Sequence, residues 1–153
     1  KNKITEVEFW RIVSQNSTID EHSANILTGM WMDTYSLNNS MMKYLQKLRQ
    51  NIQIGILTNI DAGRSRLLEK ILDIDTNLDY YFPSYVFGFS KDTAQLWDLV
   101  NRELATVNGS VNVIYVDDRA EHVLSAARIG WKGIRYYNLE QLKKQVDLLL
   151  EKL

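Results

Sequence analysis

Val113-Ile114-Tyr115-Val116-Asp117-Asp118-Arg119-Ala120-Glu121-His122-Val123 decides how this chain is read. A short apolar run stops at two carboxylates, and apolar residues then recur at helical spacing, so residues 112–116 read as a strand and 120–129 as a helix. Working outward, the same rhythm returns. Downstream, a strand over 133–136 precedes a helix over 139–153. Upstream, a strand near 85–87 precedes a helix over 93–104. Earlier still, the apolar run 52–57 leads through Thr58-Asn59 into a helix from about Asp61 that carries Leu67, Leu68 and Ile71. Repeated β-α units predict an α/β fold, a Rossmann-like parallel sheet with helices on both faces, because parallel neighbours need crossover connections that shield the sheet. Ligands in such sheets sit beyond the carboxyl ends of the strands.

Before residue 39 the rhythm is different. Thr5 and Glu8 suit a capped helix start ahead of Phe9, Trp10, Ile12 and Val13, and Ile26, Leu27, Met30, Trp31 and Tyr35 recur at three- and four-residue steps. Residues 1–38 therefore read as helical, and residues 39–153 as the α/β core, opened by an amphipathic helix with Met41, Met42, Leu45 and Leu48 on one side.

Composition narrows the function. The 153 residues suit one compact globular fold, and 18 basic against 19 acidic residues leave a net charge of −1, which gives no general attraction to nucleic acid or anionic lipid. No apolar run reaches the roughly 18 residues of a membrane span. With no cysteine there is no thiolate nucleophile, thiolate zinc site or disulfide framework, and a cytoplasmic setting is the default expectation. The chain starts at Lys1 without a signal-peptide pattern or an initiator methionine, so it is expected to be part of a longer polypeptide.

The strand ends present Thr58-Asn59, then Lys91 after Gly88-Phe89-Ser90, then Asp117-Asp118. Each alone reads more readily as a cap, a solvated cation or a helix start than as part of a site. Together, a hydroxyl, an ammonium and two carboxylates are the parts that hold a phosphoryl group beside Mg²⁺.

In this order the motifs resemble those of the haloacid dehalogenase-like hydrolase superfamily, over nearly the whole chain. Leu57-Thr58-Asn59 is similar to its second motif, Gly88-Phe89-Ser90-Lys91 to its third, and Val116-Asp117-Asp118-Arg119-Ala120-Glu121-His122-Val123, continuing to Gly130-Trp131, to its fourth. The resemblance implies a Mg²⁺-dependent phosphatase of a small, sugar phosphate-like metabolite. Thr58, Lys91 and Asp118 would be catalytic, with Thr58, Asn59 and Lys91 holding the phosphoryl group. Asp117 and Asp118 would hold Mg²⁺. It also implies that residues 1–38 form a small helical cap, with Trp10, Trp31 and Tyr35 as candidates for a substrate entrance, although aromatics at helical spacing commonly pack in a core.

One part is missing. The family's first motif, an Asp-x-Asp segment on a central first strand, supplies the nucleophile and the general acid-base, and this chain has no match ahead of the cap. Asp73-Ile74-Asp75 has the spacing but follows the second motif and reads as a helix-terminating loop. Turnover by this chain alone is therefore not expected, and a missing N-terminal segment or a complementing strand is an expected partner. His122 stands where the family often has asparagine and reads as a helix residue near the loop, and Arg119 replaces a common serine. Two alternatives remain: a non-catalytic binding module that keeps the fold, and a metal-independent dehalogenase, against which the pair Asp117-Asp118 speaks.

Overall fold

A computed structural model describes residues 6–16, 20–32, 35–109 and 111–151. It is a mixed α/β protein whose described strands pair in parallel, and it divides into two compact units, Lys1–Gly88 and Phe89–Leu153.

The first unit opens with helices α1 (Glu6–Gln15) and α2 (Glu21–Met32), which contact each other, and α3 (Asn39–Leu48). Asn38 caps α3 by accepting the Met41 N–H at 3.0 Å, satisfying a donor that the helix start leaves orphaned. β1 (Gly55–Thr58) runs parallel to β2 (Tyr80–Pro83), in register from Gly55 opposite Tyr80 to Thr58 opposite Pro83. Between them α4 (Ala62–Leu72) makes the crossover, capped by Asp61, whose Oδ1 accepts the Arg64 N–H at 3.0 Å. Asp73 then turns left-handed, with φ 45°, and the single turn α5 (Ile74–Asn77) follows. The Asp-x-Asp look-alike at 73–75 is thus a helix end, as its context predicts.

One expected strand moves. The run near 85–87 is not extended; its strand is β2, and residues Ser84–Phe87 wind into a single turn, α6. Two features select this register. Asp79 N–H donates to the Ile54 carbonyl at 2.7 Å while its carboxylate accepts the Ile54 N–H at 2.8 Å, and Arg49 donates to the Asp79 carboxylate and to the Thr76 carbonyl. Pro83 then ends the ladder, since it has no N–H to offer a neighbouring strand and its fixed φ suits the start of a helix.

In the second unit α7 (Ala94–Asn108) buries Leu96, Trp97, Val100 and Leu104. β3 (Ile114–Asp117) and β4 (Lys132–Arg135) pair in parallel from Ile114 opposite Lys132 to Asp117 opposite Arg135, with α8 (Ala120–Arg128) as the crossover. α9 (Leu139–Leu150) closes the unit, with Leu142 and Val146 buried, and Asn138 caps it by accepting the Gln141 N–H. The core is aromatic at its centre. Trp97 meets Tyr115 edge-on at 5.0 Å and Trp131 at 6.0 Å between ring centroids, the geometry that ring quadrupoles favour.

Among the described residues no helix is long and apolar enough to cross a membrane.

Candidate functional site

Asp117 is the last residue of β3, one place deeper in the strand than expected, and Asp118 is the first residue beyond it. Because alternate strand residues share a face, Tyr115 and Asp117 point to the same side. Both are buried, and the Tyr115 hydroxyl donates to Asp117 Oδ2 at 2.6 Å.

Lys91 arrives from the loop ahead of α7, and its Nζ donates to the same Oδ2 at 2.7 Å. Asp117 Oδ1 accepts the Arg119 N–H at 2.9 Å and lies 3.2 Å from His122 Nδ1. His122, on the first turn of α8, is itself buried, and its Nε2 lies 3.3 Å from Asp92 Oδ1. The loop is tied at several points. Ser90 Oγ donates to Asp92 Oδ2, Thr93 Oγ donates to the Ser90 carbonyl, and the Trp97 indole N–H donates to the Lys91 carbonyl at 2.8 Å.

Burial works against the charged form of Asp117. The hydrogen bonds from Lys91, from Tyr115 and from the Arg119 N–H outweigh it and hold the carboxyl well below the usual carboxylate range. Tyr115 is pushed far up, first by burial and then by the carboxylate it bonds. At neutral pH the pair is a carboxylate and a phenol.

The second unit therefore brings Lys91 and Asp117 together and leaves Asp118 exposed beside them. Arg119 turns its guanidinium to Glu121, 2.6 Å away, with Asp92 at 3.8 Å. Thr58 and Asn59 belong to the first unit, at the end of β1, where Thr58 is half-buried and Asn59 exposed. The residues that follow are fixed there by Ser84, whose Oγ accepts the Ile60 N–H at 3.1 Å and donates to the Ile60 carbonyl. The side chains of Trp10 and Trp31 lie outside the described residues, and Tyr35 is exposed on the segment ahead of α3.

For Mg²⁺ the donor chemistry is right, since carboxylates are the ligands this ion takes, but the arrangement does not fit at Asp117. Both of its oxygens face proton donors, and among the described residues no group of three His, Asp or Glu is placed to hold a metal ion.

Sequence reasoning passed over Tyr115 and Asp92 and read His122 as an ordinary helix residue. The signal for Tyr115 was the strand period, which puts it on the face of Asp117. Nothing local announced the contact of His122 with Asp92, thirty residues away. The first unit also holds an open cleft lined by Gln46, Arg49, Asn51, Gln53 and Asp79 among others, which contains none of the expected site residues.

The fold and site together define a mixed α/β protein with a lysine-carboxylate pair at the end of a parallel strand. Compared with known proteins, the chain is similar to a drimenol cyclase of Aspergillus calidoustus, 21% identical over 150 residues, which cover 95% of this chain and 28% of that protein. No family model and no solved structure matches it.

Proposed function

We propose that the chain is most of the catalytic part of a haloacid dehalogenase-like phosphohydrolase acting on a small phosphorylated metabolite, sugar phosphate-like in size and charge. The observation that supports this best is the 2.7 Å contact of Lys91 with Asp117 at the end of β3, with Asp118 exposed next to it. In this reading residues 39–153 are a Rossmann-like core and 1–38 a helical cap, with Trp10, Trp31 and Tyr35 at the substrate entrance. The reading requires an aspartate nucleophile on an Asp-x-Asp segment that residues 1–153 do not supply at the family's position.

By the family resemblance, Thr58 and Asn59 have the role of phosphoryl hydrogen-bond donors and Lys91 that of the neutralising cation. Removing one such electrostatic partner typically lowers the rate by ~10²–10³. Mg²⁺ belongs to the reading as the cofactor the family resemblance implies. When bound, it would offset phosphate charge, and Asp118 is the carboxylate of this chain left to meet it. The setting is cytoplasmic, and no role with nucleic acid or membranes is proposed.

A polypeptide extending this chain with an Asp-x-Asp segment should release phosphate from members of a sugar phosphate panel when Mg²⁺ is added, and Asp118→Asn should abolish most of that release. Absence of release from every substrate would sink the reading. Drimenol cyclase activity is assayed alongside because of the similarity to the drimenol cyclase, of which the chain spans only 28%. Halide release from haloacids without metal would favour a dehalogenase instead.

A second reading is a binding module without turnover. It is favoured by the saturation of Asp117 by donors from its own chain, and a peptide strand that co-purifies with the chain would support it.

A further inference from the structure

A carboxylate offers about four lone-pair positions, two on each oxygen. At Asp117 four groups face them: Lys91 Nζ at 2.7 Å and the Tyr115 hydroxyl at 2.6 Å on Oδ2, the Arg119 N–H at 2.9 Å and His122 Nδ1 at 3.2 Å on Oδ1. The side chains of Asp117 and His122 are only 6% and 3% exposed, so water does not compete for these contacts. A metal ligand needs an oxygen turned toward the ion. Here every oxygen is turned toward a donor of the same unit.

The surroundings point the same way. Asp92, the neighbour of Lys91 in sequence, is gripped by Ser90 Oγ at 3.0 Å and faces His122 Nε2 at 3.3 Å, while the carbonyl of Lys91 itself is held by Trp97. His122 thus bridges the strand end and the loop that carries the lysine. A flexible four-carbon stem has many rotamers, and an arrangement that fixes both its backbone and its ammonium selects one.

We propose that Asp117 is a positioning residue for Lys91, steadied by Tyr115 and His122, and not a ligand of a metal ion. What Lys91 is positioned for rests on the phosphohydrolase reading; the positioning does not.

The experiment has two arms, both on the 153-residue chain. In the first, reductive methylation followed by peptide mass spectrometry reads how fast each lysine reacts in wild type, Asp117→Asn, Tyr115→Phe and His122→Asn. Loss of a hydrogen bond to a charged group corresponds to about a tenfold effect or more, so Lys91 should react about tenfold faster in Asp117→Asn and less markedly faster in the other two, with Lys132 and Lys143 unchanged. Tyr115→Phe keeps the ring against Trp97 and carries the decision if Asp117→Asn does not fold.

In the second arm, inorganic phosphate is titrated into wild type and Asp117→Asn, once with EDTA and once with Mg²⁺, and followed by NMR. Positioning predicts weaker phosphate binding by the variant under both conditions. Loss only with Mg²⁺ would make Asp117 a metal ligand and overturn the proposal while sparing the function. An unchanged Lys91 methylation rate in the folded variants would overturn it as well. If wild type binds no phosphate under either condition, the methylation arm alone decides the role of Asp117, and the phosphohydrolase reading stands or falls on the phosphate-release assay of the extended polypeptide.

Discussion

Asp117→Asn removes the charge that answers Lys91 while leaving the ammonium in a setting where its side chain is 13% exposed. Breaking a buried pair by deleting one partner typically costs ~3–5 kcal/mol, because the survivor stays desolvated without compensation. The variant is expected to unfold at lower denaturant by about that free energy in a urea titration; a change below about 0.5 kcal/mol, as at ordinary surface positions, would mean that the pair is open to water. Trp97, 2% exposed and packed on Tyr115 and Trp131, has a different role. Trp97→Ala should cost about 3–5 kcal/mol through the cavity it leaves, whereas Trp97→Phe keeps much of the volume and loses the hydrogen bond to the Lys91 carbonyl. A calorimetric scan separates the two, with the alanine variant melting lower.

At the scale of elements, close approach of helix and strand is tested at Gly133. A Cβ there would lie 2.6 Å from Val123 Cγ1 and 3.0 Å from the Val123 carbonyl oxygen, so α8 sits on β4 only because that side chain is absent. Gly133→Ala is expected to destabilise by about 1–3 kcal/mol, the usual range for overpacking. Adding Val123→Ala should recover only part of that, since the clash with the backbone oxygen remains; full recovery in thermal melts would show that the methyl contact alone matters. Helices and their caps were the most legible elements in the sequence, because Asp61 and the apolar spacing after it act within a few residues. β2 was not, since its register depends on Arg49, Ile54 and Asp79, brought together across 25 to 30 residues. The same distance separates what could be read of the site from what could not. Asp117 stands out as a carboxylate at a strand end and Lys91 as a lone lysine ahead of a helix, although the strand expected just before Lys91 is a helical turn, while the bridge through His122 to Asp92 exists only once α8 and the lysine loop meet.

For the molecule as a whole, pH is the informative variable. Asp79 in the first unit is held below its ordinary value by hydrogen bonds from Arg49 and the Ile54 N–H, and Asp117 in the second by Lys91 against the cost of burial. Both folded-state values lie under the unfolded one, so the stability these groups contribute is fully present above about pH 4 and drains away as pH falls through the folded values. Urea midpoints should therefore be higher at pH 7 than at pH 3, and Asp117→Asn should narrow the difference. A larger midpoint at pH 3 would contradict the sign. The aromatic triangle of Trp97, Tyr115 and Trp131 turns the same chemistry into something visible. With its indole N–H on the carbonyl of Lys91, Trp97 is a built-in fluorophore one hydrogen bond from the lysine, so any event that pulls on Lys91 should be readable as a change in emission colour without a label.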